Sequence, residues 1–313
     1  MLSPKAWLQC AANISEGRDL RIVDALCAAV EQVPGVQLWH RDIGPDANRS
    51  VLTFAGEAPF MIDGCEALIA AAVEHIDMRR HQGSHPRIGA VDVCPLVALR
   101  PEDGSLAKES ARQVAKRVSG LNAGGWFYGL SAARPEYALL ANLRRGQYEG
   151  LAQRSLDFDF GSYHPRFGAM ALGARDFLLA YNVNLSGLNA SAAKAISAQI
   201  REQVGGGMPG LRSIGWDAPL FGCSQVSCNI TDLNRLSLKE VYDRVDALAA
   251  DFGMRAAGSE LIGMAPLKAF RGFRSAHEGA DYLGLSSVVS FDASSRVIEE
   301  RFKLPHQRSK KQK

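Results

Sequence analysis

An α+β fold of two βαββαβ units in tandem is what this sequence predicts, on three observations. Its 313 residues exceed what one hydrophobic core usually fills, which favours two domains or one large unit. Hydrophobic periodicity alternates between strand-like and helix-like stretches in the order βαββαβ, and that order returns in the second half. The third observation is a literal echo, in which His85-Pro86-Arg87-Ile88-Gly89-Ala90 recurs as His164-Pro165-Arg166-Phe167-Gly168-Ala169, each copy just ahead of a strand. Two such units side by side read as a duplicated ferredoxin-like fold, each a sheet with helices on one face and the site between them.

The first unit reads as strand 7–13, helix 19–30, strands 36–42 and 50–56 around a polar loop, helix 58–75 and strand 91–99. Leu20, Val23, Leu26, Cys27 and Val30 form one stripe of the first helix, and Pro34-Gly35 marks the turn after it. The second unit reads as strand 177–184, helix 190–204, strands 211–216 and 224–231, helix 238–252 and strand 254–262. Ser237 and Glu240 make an S-x-x-E capping box before a run of apolar residues at helical spacing. Residues 100–161, with a helix at 106–118 and the aromatic run Trp126-Phe127-Tyr128, read as a linker. The chain thus divides into 1–160 (first subdomain with linker), 161–300 (second subdomain) and a basic tail, 301–313. Gly205-Gly206-Gly207, ahead of Pro209-Gly210, reads as a helix stop and turn rather than a phosphate cradle.

Composition removes several function classes. With 47% hydrophobic and 22% charged residues the chain can offset its ordering entropy, which excludes disorder. Of the 36 Lys and Arg, six stand in residues 301–313, which carry no acid, so the other 30 face 33 Asp and Glu. A slightly acidic body with a basic, solvated tail argues against a nucleic-acid partner, which requires a basic face on the folded body. The six cysteines are scattered without a C-x-x-C pair and sit mostly in apolar runs, as free thiols of a reducing compartment do, and the cytoplasm is the expected location. No apolar run approaches the ~18 residues of a membrane span, and the opening residues make a poor signal peptide.

The chemistry concentrates in residues 76–87, IDMRRHQGSHPR, which hold His81, His85, Arg79, Arg80, Arg87 and Asp77 beside a Gly and a Pro that forbid a continuous helix. Such a loop, leading into an apolar strand, suits an anionic substrate and a histidine proton shuttle; a solvated charged loop is the plainer alternative. A metal site drawn from His75, His81, His85, Asp77 and Asp92 is disfavoured, because Gly83 and Pro86 break the helix on which an H-x3-H pair would share a face. Asp42 and Arg49 are further candidates at strand ends. Asn182, Asn184, Gln225 and Asn229 place amides in apolar strands, where they can bind a heterocycle or simply face solvent.

The string IDMRRHQGSHPRIGAVDVCP over residues 76–95 closely resembles the signature of the glutamate formiminotransferase family, the formimino-transferring half of formiminotransferase-cyclodeaminase. The resemblance extends over NISEG (13–17), GPDANRSVLTFAG (44–56), LRRGQYE (143–149), DFG (159–161), GAMALGARDFLLAYNVNL (168–185), QVSCNITD (225–232) and GSELIGMAPL (258–267). It implies the duplicated ferredoxin-like fold, with folate bound between the subdomains. It also implies transfer of a formimino group from N-formimino-L-glutamate to N5 of tetrahydrofolate, the co-substrate, releasing glutamate in histidine degradation. His85 is the implied catalytic residue. An imidazole with an ordinary pKa of ~6.5 suits a proton leaving N5 and reaching the departing nitrogen. Asp42 is expected to orient it, and Arg49, Arg79 and Arg87 to meet the carboxylates of donor and folate. The implied folate stretch is Gly161, Ser162, Tyr163, His164, Pro165, Arg166, Phe167 and Gly168, with Phe167 or Tyr163 stacking on the pterin. No metal is expected, the partners are these small molecules, and a homodimer is the expected assembly. A folate-dependent paralogue using a donor such as N-formylglutamate and a non-catalytic folate-binding homologue are the competing readings.

Overall fold

In the computed structural model, which describes residues 6–303, the first strand, β1 (Trp7–Ile14), turns Leu8, Cys10, Ala12 and Ile14 to one face, all fully buried. That period of two makes it a strand with one face on the core. Helix α1 (Leu20–Glu31) starts where the Asp19 carboxylate accepts from the Arg21 amide, and it buries Val23, Leu26, Cys27 and Val30. Strands β2 (Val36–Gly44) and β3 (Arg49–Glu57) form a hairpin, and α2 (Ala58–His75) follows with Pro59 in its first turn, where the missing N–H costs nothing. With β4 (Val91–Ala98) these strands run β2-β3-β1-β4, every neighbour antiparallel.

The first sheet does not stop there. Past α3 (Gly104–Val118), β5 (Gly125–Phe127) and the short α4 (Leu140–Leu143), strand β6 (Met170–Ala174) lies parallel between β4 and β5, giving the order β2-β3-β1-β4-β6-β5. Residues 100–161, expected as a linker, therefore supply a strand and a helix that packs on α2. The chain divides after Asp176, so residues 161–176, grouped with the second half from the sequence, pair into the first sheet. Both added strands escape periodicity for a physical reason. β5 is only three residues long, and β6 (MALGA) is buried on both faces and built of small residues, so it shows no alternation.

The second unit, from Phe177, contains β7 (Leu179–Leu185), α5 (Ala190–Ile200), β8 (Leu211–Ala218), β9 (Cys223–Ile230), α6 (Leu238–Ala249) and β10 (Ala256–Ile262). Its antiparallel sheet runs β10-β7-β9-β8. The capping box forms as expected: the Ser237 amide donates to Glu240 Oε2 at 2.8 Å, and Ser237 Oγ accepts from the Glu240 amide. Helix α5 ends at Ile200, short of residue 204, because Arg201 turns to an extended conformation ahead of the three glycines. Three further short helices, α7 (Ala276–Tyr282), α8 (Ala293–Arg296) and α9 (Ile298–Lys303), were not anticipated. The buried Arg296 of α8 donates from Nη2 to the carbonyls of Leu261 and Gly263, at the end of β10 and just past it, at 2.7 Å. Most of the basic tail, residues 304–313, lies outside the described residues, and among those described no helix is long and apolar enough to cross a membrane.

Candidate functional site

Residues 76–90 form a loop, as their composition requires, and it is held against two others through Asn48. Asn48 adopts a left-handed conformation (φ 48°) that asparagine tolerates better than most side chains. Its Oδ1 accepts from the Gly17 amide at 3.0 Å and its Nδ2 donates to the Gln82 carbonyl at 2.9 Å. Glu16 accepts from the amides of Gly17, Arg18 and Asp19 at 2.8–2.9 Å, which closes the turn ahead of α1. Gly17 admits no side chain, since a Cβ would sit 2.6 Å from the Arg49 amide nitrogen.

Within this frame the two loop histidines differ. Arg87 Nε donates to His81 Nδ1 at 3.1 Å, so the proton of the neutral ring sits on Nε2, which donates to the Asn48 carbonyl at 2.8 Å. Burial lowers the pKa of His81, and both its nitrogens are committed. His85 is half-buried; its Nδ1 lies 2.8 Å from the Pro86 carbonyl, and Arg49 Nη1 is within hydrogen-bonding distance of both ring nitrogens. Burial first, then the positive fields of Arg49 and Arg144, push the His85 pKa down to about 3. The ordinary imidazole value expected from sequence therefore does not apply to this environment, which keeps the ring neutral.

The arginines also divide. Arg87, only 6% exposed, forms a bidentate pair with Glu149 at 2.6 and 2.8 Å, so a guanidinium expected to meet substrate is engaged internally and positions His81 instead. Arg144 pairs with the buried Asp92, its Nε 3.1 Å from Oδ2, and Asp92 also accepts from the Ile88 amide. Arg79 chelates Asp77 at 2.6 and 2.9 Å and stays 58% exposed. Arg49 has no ion pair among the described residues, and its Nε is buried without a partner. Burial, with Arg144 adding and Asp92 opposing, lowers its pKa to about 9. A small void lined by Ser15, Asn48, Arg49, His81, His85 and Asp92 adjoins a cleft of about 410 Å³ that shares Ser15, Asn48 and His81 and adds Arg79, Arg80 and Arg166. Asp42 lines neither; it lies 3.1 Å from His40 Nε2 on its own strand.

The 161–168 stretch departs from its expected role in detail. Gly161 (φ 63°) and Gly168 (φ 81°) have left-handed backbones, and their closeness is to the protein itself. A Cβ on Gly161 would lie 2.2 Å from the Ala123 carbonyl oxygen, and one on Gly168 2.4 Å from that of Ile88. Phe167 is 1% exposed and belongs to the core, which rules it out as an open stacking platform. Tyr163 is half-buried against the cluster around Trp126, and Ser162 packs its backbone on Gly124. The Pro165 carbonyl accepts from the Tyr148 hydroxyl at 2.7 Å. His164 closes the turn through its carbonyl, and Arg166 donates to the carbonyls of Val73 and Glu74 while lining the larger cleft.

Two other clusters lie apart. Cys10, Cys65 and Cys94 bring their sulfurs within 4.8 Å of one another and are fully buried; among the described residues they are the one such metal-capable trio, and the His/Asp set weighed from sequence does not assemble. In the second unit the amides of the strands bond one another around Glu260. Asn182 Nδ2 donates to its carboxylate at 3.0 Å, and Gln225 Nε2 to Asn184 Oδ1 at 2.9 Å. Sequence reasoning weighed Asn48 without giving it a role and passed over Glu149, Arg144 and Glu260; the segments 44–56, 143–149 and 258–267 were marked by the resemblance, without roles.

The chain matches the family model described as formiminotransferase domain, N-terminal subdomain, over residues 7–175, and the formiminotransferase domain over residues 180–278. It is 36% identical to the glutamate formimidoyltransferase of Streptococcus pyogenes serotype M1 over 299 residues, covering 93% of this chain and 97% of that one. It is 34% identical to the glutamate formimidoyltransferase of Thermoplasma acidophilum over 270 residues, covering 84% and 89%. The match to the formimidoyltransferase-cyclodeaminase of Rattus norvegicus, 33% over 320 residues, covers 93% of this chain but spans 59% of that relative's length.

Proposed function

The chain belongs to the formiminotransferase family, and from that membership we propose that it is a glutamate formimidoyltransferase. It moves the formimino group of N-formimino-L-glutamate to N5 of tetrahydrofolate and releases glutamate. The observation that carries the reading is the pairing of His85, a neutral imidazole, with Arg49, a half-buried guanidinium without an ion-pair partner among the described residues. Such a pair supplies a proton acceptor beside a carboxylate receptor.

Transfer passes through a tetrahedral carbon. N5 attacks the formimino carbon and gives up its proton; collapse breaks the bond to the glutamate nitrogen, which takes a proton. His85 serves both steps, Arg49 holds a carboxylate of the donor, and Arg79, in the larger cleft, meets a second anionic group. The 161–168 turn contributes to the tetrahydrofolate site through Tyr163 and Arg166. The strand order of each unit, its first strand flanked by its third and fourth, supports reading both as ferredoxin-like. A homodimer in the cytoplasm completes the reading, open to sedimentation and fractionation.

A donor panel tests it. With tetrahydrofolate present, N-formimino-L-glutamate is turned over and N-formyl-L-glutamate is not, read by the absorbance of the folate product. Preference for the formyl donor selects the paralogue, and folate binding without turnover of either donor selects the non-catalytic homologue.

A further inference from the structure

We propose that Arg49 is a positioning residue that covers the base nitrogen of His85 until a carboxylate draws the guanidinium away, so that the proton acceptor is exposed only when the donor is in place. The inference rests on the reading of His85 as proton shuttle and adds a control to it. The Pro86 carbonyl can only accept, so it fixes the proton of the neutral ring on Nδ1 and leaves Nε2 as the single basic site. A guanidinium can only donate, and Arg49 Nη1, which reaches both ring nitrogens, lies closer to Nε2.

The neighbouring carboxylates are already engaged. Asp92 serves Arg144 and the Ile88 amide, Glu149 serves Arg87, Glu16 three backbone amides, and Asp77 serves Arg79. Arg49 is thus a partly buried cation whose buried Nε has no partner, whereas the two buried arginines among the described residues, Arg87 and Arg296, have acceptors. The charged and titratable groups around His85 are Arg49 from the start of β3, Arg144 after α4, Asp92 from β4, and His81 and Arg87 from its own loop. Of these only Arg49 is without an internal hydrogen bond other than the one to His85.

A carboxylate offers a guanidinium two acceptor oxygens, and an imidazole nitrogen offers one, so the donor's anion outcompetes His85 for Arg49. Pairing also neutralises the nearest positive field. Nε2 is then bare and more basic, takes the N5 proton as the new C–N bond forms, and returns it to the glutamate nitrogen as the old bond breaks. The competing source of the same chemistry is a carboxylate of the folate tail, and the experiment separates the two.

The test is an NMR titration of protein labelled at histidine Cε1, with His85→Gln to assign the resonance. In the free protein His85 stays neutral well below the ordinary midpoint of ~6.5. Saturating L-glutamate raises its midpoint by about one pH unit or more, a tenfold gain in proton affinity, while tetrahydrofolate alone leaves it in place. Arg49→Gln raises the midpoint without ligand and abolishes the response to glutamate; Arg49→Lys restores part of it. An unchanged midpoint in Arg49→Gln, or glutamate bound to wild-type protein without moving His85, overturns the proposal. A response to tetrahydrofolate and not to glutamate overturns the donor as trigger. These readouts need no turnover, so a failure of the transferase reading shows separately, as full activity in His85→Ala.

Discussion

The two copies of His-Pro-Arg-x-Gly-Ala share a reciprocal pairing and little else; even their glycines differ, Gly168 being left-handed and Gly89 not. They pair with each other, the Ala90 amide donating to the Phe167 carbonyl at 2.8 Å and the Ala169 amide to the Ile88 carbonyl at 2.9 Å, so each copy's sixth residue bonds the other's fourth. Both lie in the first unit, so the echo does not mark the duplication of the units, as the sequence suggested. Their side chains meet different surroundings. His85 faces Arg49 in a void, whereas His164 contributes its carbonyl to a turn; Arg87 is buried on Glu149, whereas Arg166 reaches the last carbonyls of α2. Five of the six residue types are the same in both places, and neighbours remote in sequence decide what the side chains do.

The largest expected effect breaks that pairing at the histidines. His85→Ala lowers turnover by ~10²–10⁴-fold, the usual worth of general acid–base catalysis, with tetrahydrofolate binding nearly unchanged, and His164→Ala stays within about threefold in steady-state assays. Equal losses in both variants would make the copies functionally equivalent. Next come the paired glycines. Gly168→Val forces a branched side chain into a left-handed backbone against the Ile88 carbonyl, and Gly89→Ala meets the Ala169 carbonyl oxygen at 2.2 Å. Each destabilises by about 2–4 kcal/mol in denaturant unfolding, against about 0.5 kcal/mol or less for Gly104→Ala, whose Cβ meets nothing within 4 Å.

Smaller effects separate the arginines. Arg87→Lys loses the bidentate geometry and about 1–2 kcal/mol, whereas Arg166→Lys changes stability by about 0.5 kcal/mol or less. The Arg87 guanidinium holds the Glu149 carboxyl below its ordinary range, so this carboxylate favours the fold while ionised. Its contribution is complete above about pH 4.5 and fades as pH falls through the lowered value, and the stability gap between wild type and Glu149→Gln should close with it. Because Glu149 is 63% exposed, that gap is only a few tenths of a kcal/mol. The smallest expected effect is none: in the proposed reaction every step is proton or group transfer between nitrogens, so dialysis against chelator leaves turnover intact, and stoichiometric metal lost together with activity would refute that.

What could be read in the sequence follows the range of the forces involved. Helix α2 has the bounds its apolar spacing and Pro59 suggest, and Ser237 caps α6 through a partner three residues away, because both depend on local geometry. The loop at 76–90 was legible for the same reason: Gly83 and Pro86 cannot sit in its middle as helix. Strand β6 was not, since its place is set by β4 and β5 on either side rather than by any pattern of its own. At the candidate site, the motif marked His85, which the fold sets beside Arg49. The fate of Arg87 was not legible, because Glu149 stands 62 residues away. Phe167 was misread because an aromatic at a loop end looks the same in sequence whether it opens to solvent or closes a core.

All six cysteines are free thiols and all are buried, Cys27 and Cys223 least completely. The folded chain therefore carries an internal clock. A colourless thiol reagent that turns yellow on reaction registers nothing from the native form and reports each thiol as the chain opens around it. Reaction at Cys27 times the lifting of α1 and reaction at Cys223 the loosening of the start of β9, and reaction at Cys10, Cys65 and Cys94 together times the parting of α2 from β1 and β4. Opening rates for each unit, Cys27 in the first and Cys223 in the second, become measurable on the unlabelled wild-type protein.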